Sequence, residues 1–365
     1  MILKLIVLSV YFSILLGIGY FASRRVRNIT DYYVGGKKLG YWIAALSARS
    51  TGESGWLLIG VTGMGALMGF SAFWIVVGEV LGVWISWQYM AKKFKRMTDE
   101  YNSITIPDFL VSHFKSTTHL IRIVSATALS FFVVIYVSAQ IDVTGKTFES
   151  FLGFNYYTGI TIGFGIVVLY IFSGGFLAVA WSDFFQGSLM FIGLLLLPVV
   201  AYFSVSTDVS LINGLRDIDP ALLDIWGAGG FTLMNIVTVL GLLSIGIGFM
   251  GSPQVYVRFI AIKNTAEIEK GKWVAIVYTF LTDSAAVMIG ILGRYMLTKA
   301  GDNPEMILGN AGEDVLALVL GQVMPALIIG VYIAAVLSAV MSTVDSLLVV
   351  ASSAVTRDFY QQILN

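Results

Sequence analysis

The chain has no cysteine, which removes disulfides, thiolate catalysis and cysteine-based zinc sites from consideration. Histidine is nearly as scarce. The two residues, His113 and His119, share one polar stretch, too few and too peripheral for a buried metal centre. Charge is thin: 12% of residues are charged, about half the share of a soluble domain. The 22 basic and 22 acidic residues cancel, so no net field draws a polyanion, which argues against nucleic acid as a partner. What fills the 365 residues is apolar, 57% hydrophobic with a mean hydropathy of +0.85. Apolar runs longer than the roughly 20 residues that cross a bilayer as a helix make it a polytopic membrane protein, and their length excludes a β-barrel.

Nine stretches are long enough to span: about 2–22, 41–66, 68–90, 123–146, 157–178, 184–205, 231–256, 273–297 and 324–351. The first is too long for a cleaved signal and lacks a small-residue cleavage site, so it is expected to stay as an anchor. Basic residues near helix ends resist translocation. With the N-terminus outside, the inner loops collect Arg24, Arg25, Arg27, Lys37 and Lys38, then Lys92, Lys93, Lys95, Arg96, Lys115 and Arg122, then Arg258, Lys263, Lys270, Lys272 and finally Arg357, 16 of the 22. The loop 206–230 is acidic, with Asp208, Asp217, Asp219 and Asp224. The expected topology is therefore N-terminus out and C-terminus in. The 38 glycines are scattered through the spans, as close helix packing requires, and 91–122 is expected to be a connection with a short surface helix near Ile106–Phe114.

Several residues do not belong in hydrocarbon. Ser47-Ala48-Arg49-Ser50-Thr51-Gly52-Glu53-Ser54-Gly55 interrupts the second span with polar and small groups. Intramembrane charge costs about 3 kcal/mol or more and faces a bundle interior or a wet cavity. An Arg49–Glu53 pair at i, i+4 that merely steadies a kink explains the charges equally well. Unwinding between Gly52 and Gly55 would also free carbonyl oxygens for an alkali cation and expose a half-helix N-terminus to an anionic group. The ninth span carries Ser338, Ser342, Thr343, Asp345 and Ser346, a hard-oxygen set suited to alkali or alkaline-earth ions; singly, each hydroxyl could as well bond the preceding turn. Glu79, Asp142, Asp183 and Asp283 are the other carboxylates expected to be buried. Gly246, Gly248, Gly251 and Pro253 break the seventh span. Two broken helices five spans apart suit an inverted repeat. An intramembrane enzyme fits poorly, since no span holds a His and no HExxH or GxSxG occurs. A non-transporting sensor or assembly partner is the other alternative.

Tyr33-Val34-Gly35-Gly36-Lys37-Lys38-Leu39-Gly40, Ser54-Gly55-Trp56-Leu57-Leu58, Gly174 to Gln186, Gly251-Ser252-Pro253 and Ala334 to Tyr360 together resemble the sodium/solute symporter family, most closely its proline-permease branch. The resemblance implies an all-α polytopic membrane protein with an inverted-repeat, five-plus-five helix transporter fold and an extra N-terminal helix. It implies one transmembrane domain over 1–365, with the anchor in 1–30, the first repeat in 40–205 and an incomplete second repeat in 231–356. Family members continue beyond the ninth span, so that repeat is expected to stop two helices short, as a fragment or a truncated product would. The implied function is sodium-coupled symport, by alternating access across the plasma membrane, of a small organic solute: proline, a related amino acid, or another carboxylate, sugar or vitamin. Sodium is the implied coupling ion, the bilayer and the solute are the other partners, and no oligomer is required. Carried over by position, the main sodium site takes the carbonyls of Ser50, Glu53 and Ala339 and the hydroxyls of Ser342 and Thr343. A second sodium, held in some members, would use Asp183 and Ser346 with Asp345. Solute would sit against Trp56, Tyr136, Gln140, Ile245, Phe249 and Pro253. The chain departs from the proline branch in having Gly52 where that branch has Asp, and Ile245 and Phe249 where it has Trp and Tyr.

Overall fold

The computed structural model describes residues 1–205 and 210–364, and among these no strand occurs beyond one isolated bridge between Leu39 and Ile262. The chain begins with α1 (Ile2–Ser23) and the short α2 (Ile29–Val34). Next come α3 (Tyr41–Trp56), α4 (Thr62–Met68), α5 (Phe73–Ile85) and α6 (Ala91–Glu100), which run on through single π or 3-10 turns. The surface helix α7 (Ile106–His113) precedes the long helices α8 (Leu120–Leu152) and α9 (Tyr156–Ser204). After α10 (Leu211–Ile218) come α11 (Leu233–Phe249), α12 (Pro253–Ala261) and α13 (Thr265–Leu297). The peripheral α14 (Pro304–Leu308) and α15 (Val315–Val323) lead to α16 (Ala326–Ser353), which continues as a π-helical turn over Ala354–Leu364.

Among the described residues six helical runs are long and apolar enough to cross a membrane, or seven if the α11–α12 pair, bent by 42°, is one span. The nine expected spans reappear once two of those runs are divided where the chain turns back. Tyr41 and Trp87 both lie beside Gly271 of α13, whereas Gly65 lies beside Val287 of the same helix, about 24 Å further along it at 1.5 Å per residue. The chain therefore rises through α3 and α4 and returns through α5, turning at Gly69, whose φ is 61°. The 49 residues of α9 are likewise two spans. Gly159 and Gly163 run antiparallel to Phe148 and Thr144 of α8, Tyr170 reaches Gly19, and Gln186 returns to Tyr11 of α1. The reversal falls at Gly175, with φ 53° and ψ −148°, where an added Cβ would meet the Tyr32 carbonyl oxygen at 2.6 Å. Only glycine takes that conformation against that neighbour.

Helix starts follow local chemistry. Thr105 caps α7 by accepting from the Asp108 N–H at 3.1 Å, and Asn264 caps α13 by accepting from the Glu267 N–H at 3.0 Å. Glu267 then accepts from the Tyr41 N–H at 2.8 Å, which fixes the start of α3 against the start of α13. With no hydrophobic drive between helices in lipid, close backbone approach holds α5 to α11: a Cβ on Gly246 would lie 1.8 Å from the Gly78 carbonyl oxygen. Leu3, Ile6 and Val10 of α1, Phe131, Phe132 and Ile135 of α8 and Leu233, Val237 and Leu240 of α11 face outward, as a lipid-contacting surface requires. Asp142 is not buried as expected. Its side chain is 43% exposed and pairs with Lys146 at 3.1 Å and with the Tyr156 hydroxyl at 2.6 Å at the rim.

At the Ser353 end of α16 a buried ion pair ties three elements together. Arg122 of α8 donates to Asp108 of α7 and to the fully buried Asp358, each at 2.6 Å, and Thr105 donates to Asp358 at 3.1 Å. Removing one partner strands a buried charge at about 3–5 kcal/mol. Arg122→Ala is therefore expected to lower the melting temperature in detergent by several degrees, and Arg122→Ala/Asp358→Ala to recover part of the loss. A single substitution that melts like the wild type contradicts this.

Candidate ion and solute site

The site forms where α3 breaks and α16 crosses it. Ser54 has φ 52° and ψ −176°, a conformation costly for a non-glycine residue, about 1–3 kcal/mol, and retained only when its surroundings hold it. They do so by redirecting backbone donors. The Gly55 N–H donates to the Gln140 side-chain carbonyl at 3.2 Å and the Trp56 N–H to Ser54 Oγ at 3.2 Å. The helical ladder resumes at Leu57, whose N–H donates to the Glu53 carbonyl.

On the near side of the break α16 supplies its hydroxyls. Ser342 Oγ lies 3.1 Å from the Ser50 carbonyl oxygen and 3.2 Å from that of Ala339. Thr343 Oγ1 lies 3.1 Å from the Thr51 carbonyl oxygen and 3.0 Å from that of Ala339. All five residues are fully buried. The hydroxyls of Ser50 and Thr51 have no hydrogen-bond partner among the described residues. Three carbonyl and two hydroxyl oxygens gathered at this buried crossing, with two spare hydroxyls beside them, match the chemistry of a small hard cation. Four of the five expected main-site residues, Ser50, Ala339, Ser342 and Thr343, are thus brought together. The fifth differs: the Glu53 carbonyl is taken up by Leu57, and the Thr51 carbonyl faces Thr343 instead. Helix periodicity alone does not reveal this, because which carbonyl turns outward depends on the break lying at Ser54.

Glu53 contributes its side chain elsewhere. Its carboxylate accepts from Arg49 at 3.1 Å and from the Thr282 hydroxyl at 2.9 Å, and all three residues are buried. The Arg49–Glu53 pair at i, i+4 read from the sequence is therefore present, and the Arg49 guanidinium stacks over the Phe249 ring at 4.7 Å.

The residues expected around the solute divide into two groups. Tyr136 and Pro253 line an open cavity of about 400 Å³ between α8, α12 and α16. Gln140, with Trp56 beside it, sits at the break, and the Tyr136 side chain reaches Ser54, so that residue joins the two places. Ile245 is half-buried and Phe249 buried on α11, and neither lines the cavity. Phe249 is instead the counterpart of Gly52: a Cβ at residue 52 would lie 2.4 Å from the Phe249 ring. Gly52, one departure from the proline branch noted in the sequence, is thus closed in by Phe249, another.

The three residues expected around a second ion, Asp183, Asp345 and Ser346, are also together and buried. A residue the sequence reading did not place there, Arg258 of α12, joins them, its guanidinium 2.7 Å from Asp183 Oδ2 and bonded to the Ser346 hydroxyl. Its signal was available in the sequence as a basic residue one turn after Pro253, but it read as an inner-loop charge.

A helix broken at mid-span and crossed by a hydroxyl-bearing partner, within two runs that begin with broken helices, defines an ion-coupled secondary carrier. The chain belongs to the sodium:solute symporter family, whose model matches residues 32–365. Its members are transporters and not enzymes, and sodium is the coupling ion. The chain is 37% identical over 348 residues to the high-affinity proline transporter PutP of Bacillus subtilis, covering 94% of this chain and 71% of that one. It is 33% identical over 369 residues to the sodium/proline symporter of Escherichia coli, covering 99% and 71%. The fold matches that of a Na+-coupled sialic acid symporter solved in a substrate-bound outward-open state, with a TM-score of 0.82 at 21% identity, covering 99% of this chain and 74% of that one. The inverted-repeat fold expected from the sequence is the one observed.

The contact between Gly52 and Phe249 is expected to be tight enough to read. Gly52→Ala overpacks the break, a cost of about 1–3 kcal/mol, and lowers the melting temperature, whereas Gly52→Ala/Phe249→Leu restores it. Gly52→Ala with unaltered stability contradicts the packing described.

Proposed function

We propose that this chain carries proline, or an amino acid of similar size and charge, together with sodium into the cell across the plasma membrane, with its N-terminus outside and its C-terminus inside. The carrying observation is the crossing of α3 and α16, where Ser342 and Thr343 each stand 3.1 Å from a carbonyl of the broken helix. The named transport of proline by the relatives supports the solute, and the gathering of 15 of the 22 basic residues on one side, with Arg258 set apart in the core, supports the orientation.

The residues account for the coupling as follows. The carbonyls of Ser50, Thr51 and Ala339 and the hydroxyls of Ser342 and Thr343 hold sodium, replacing its water. Holding it joins α16 to the near half of the broken helix. That same break sets Trp56, Gln140 and Tyr136 through Ser54 and Gly55, so ion and solute favour one conformation. Coupling of this kind is reciprocal: whatever factor sodium adds to solute affinity, solute adds to sodium affinity. Rocking of one helix group against the other then opens the pair to the opposite side. The membrane potential adds about 2.3 kcal/mol per charge for each 100 mV.

Ser342→Ala and Thr343→Ala each remove one ion ligand and keep the fold. Each is expected to raise the sodium concentration for half-maximal proline uptake or binding at least tenfold, about 1.4 kcal/mol, with a smaller effect on proline affinity at saturating sodium. Unchanged sodium dependence in both variants rejects this site. Sodium-dependent binding that answers another solute and not proline rejects the solute while leaving the ion site standing.

A further inference from the structure

The geometry points to Arg258 as a built-in cation that occupies the place of a second sodium, so that this chain binds one sodium where the oxygen set alone would take two. The oxygens are those of Asp183 and Ser346, with Ser47 completing the set from α3. One oxygen of each is already bonded to the guanidinium, and Asp183 Oδ1 has no hydrogen-bond partner among the described residues. Arg258 Nη2 donates to Asp183 Oδ2 at 2.7 Å and to Ser346 Oγ, and Nε donates to Ser47 Oγ at 2.9 Å. Ser47 in turn donates to Asp183 Oδ2 at 2.5 Å. Nη1 is held by the Gln254 carbonyl of its own helix at 2.8 Å, and the ring of Phe176 covers the guanidinium at 5.1 Å. Arg258 and Asp183 are both wholly inaccessible to solvent.

Three considerations carry the inference. A guanidinium keeps its charge at every physiological pH, so the position stays filled by a monovalent cation. Its planar fork reaches α9, α16 and α3 at once, which is what an ion shared by those helices would do. The third expected ligand, Asp345, is turned to other donors: it accepts from the Tyr170 hydroxyl at 2.7 Å, from Ser182 at 3.3 Å and from Ser346 at 3.1 Å. A second sodium would therefore find only Asp183 Oδ1 unclaimed among these oxygens, too few to replace its water. A tethered cation holds the helices together but cannot be released to the other side, so it draws nothing from the sodium gradient and leaves the main site as the coupling position. The inference leans on the symport reading only for the identity of the ion.

The test is equilibrium binding of radioactive sodium alone to the purified full chain, counted as ions per chain. The wild type is expected to bind one. Arg258→Ala opens the position, and Arg258→Gln removes the charge while keeping donors for Ser47 and Ser346; each is expected to bind one sodium more than the wild type. Adding Asp183→Asn to either is expected to return the count to the wild-type value. A wild type that binds two overturns the inference whatever the variants do, and so does an unchanged count in both Arg258 variants. If the wild type binds none, the main sodium site fails, while a gain of one in the variants still upholds the role of Arg258.

Discussion

Every polar group that this chain buries must find a partner inside the protein, because hydrocarbon offers none. The rest of the structure depends on how that demand is met at one place, the break in α3. A positive φ at Ser54 interrupts the helix in its buried core, and the loosened backbone is claimed from two sides. Gln140 takes the Gly55 N–H, and Ser342 and Thr343 face the carbonyls of Ser50 and Thr51. The hydroxyls that face the loosened carbonyls are also the ones we propose as ion ligands. In that proposal stability and function rest on the same atoms, and a shift of α16 alters both.

The surroundings of α16 hold that helix in position along its length. Ser338 bonds the Tyr11 hydroxyl of the anchor helix, to which Gln186 also donates, and Asp345 is gripped by Tyr170 and Ser182. A few residues further, Ser346 meets Arg258, and beyond the helix end Asp358 meets Arg122. These contacts come from α1, α8, both halves of α9 and α12. A cation entering the break therefore changes the balance of a helix already tied to most of the bundle, the kind of discrete two-state element through which coupling between sites travels.

Much of this architecture was legible in the sequence, and what was not has physical causes. The nine spans followed from apolar length, and a short surface helix was expected near residues 106–114, where the structure adds the Thr105 cap. The two broken helices followed from polar residues, glycine and proline placed where lipid would reject them. The site was legible at the level of residue type, since hydroxyls in the ninth span had to face something. Three details depended on geometry that periodicity does not encode. The carbonyl facing Thr343 is Thr51 and not Glu53, because the break falls at Ser54 rather than at a glycine. Asp142 turned out to lie at a rim beside Lys146, where the helix face meets solvent. Arg258, counted among inner-loop charges, folds back into the core, because the bend after Phe249 aims α12 at Asp183.

The central claim is that the oxygens of Ser50, Thr51, Ala339, Ser342 and Thr343 enclose the coupling cation. It is tested most directly by an experimental structure with thallium(I) replacing sodium, since the heavy monovalent ion reports its own position through anomalous scattering. The account predicts one strong peak among those five residues and none between Asp183 and Ser346. A principal peak anywhere else in the bundle, with the α3–α16 crossing empty, contradicts it.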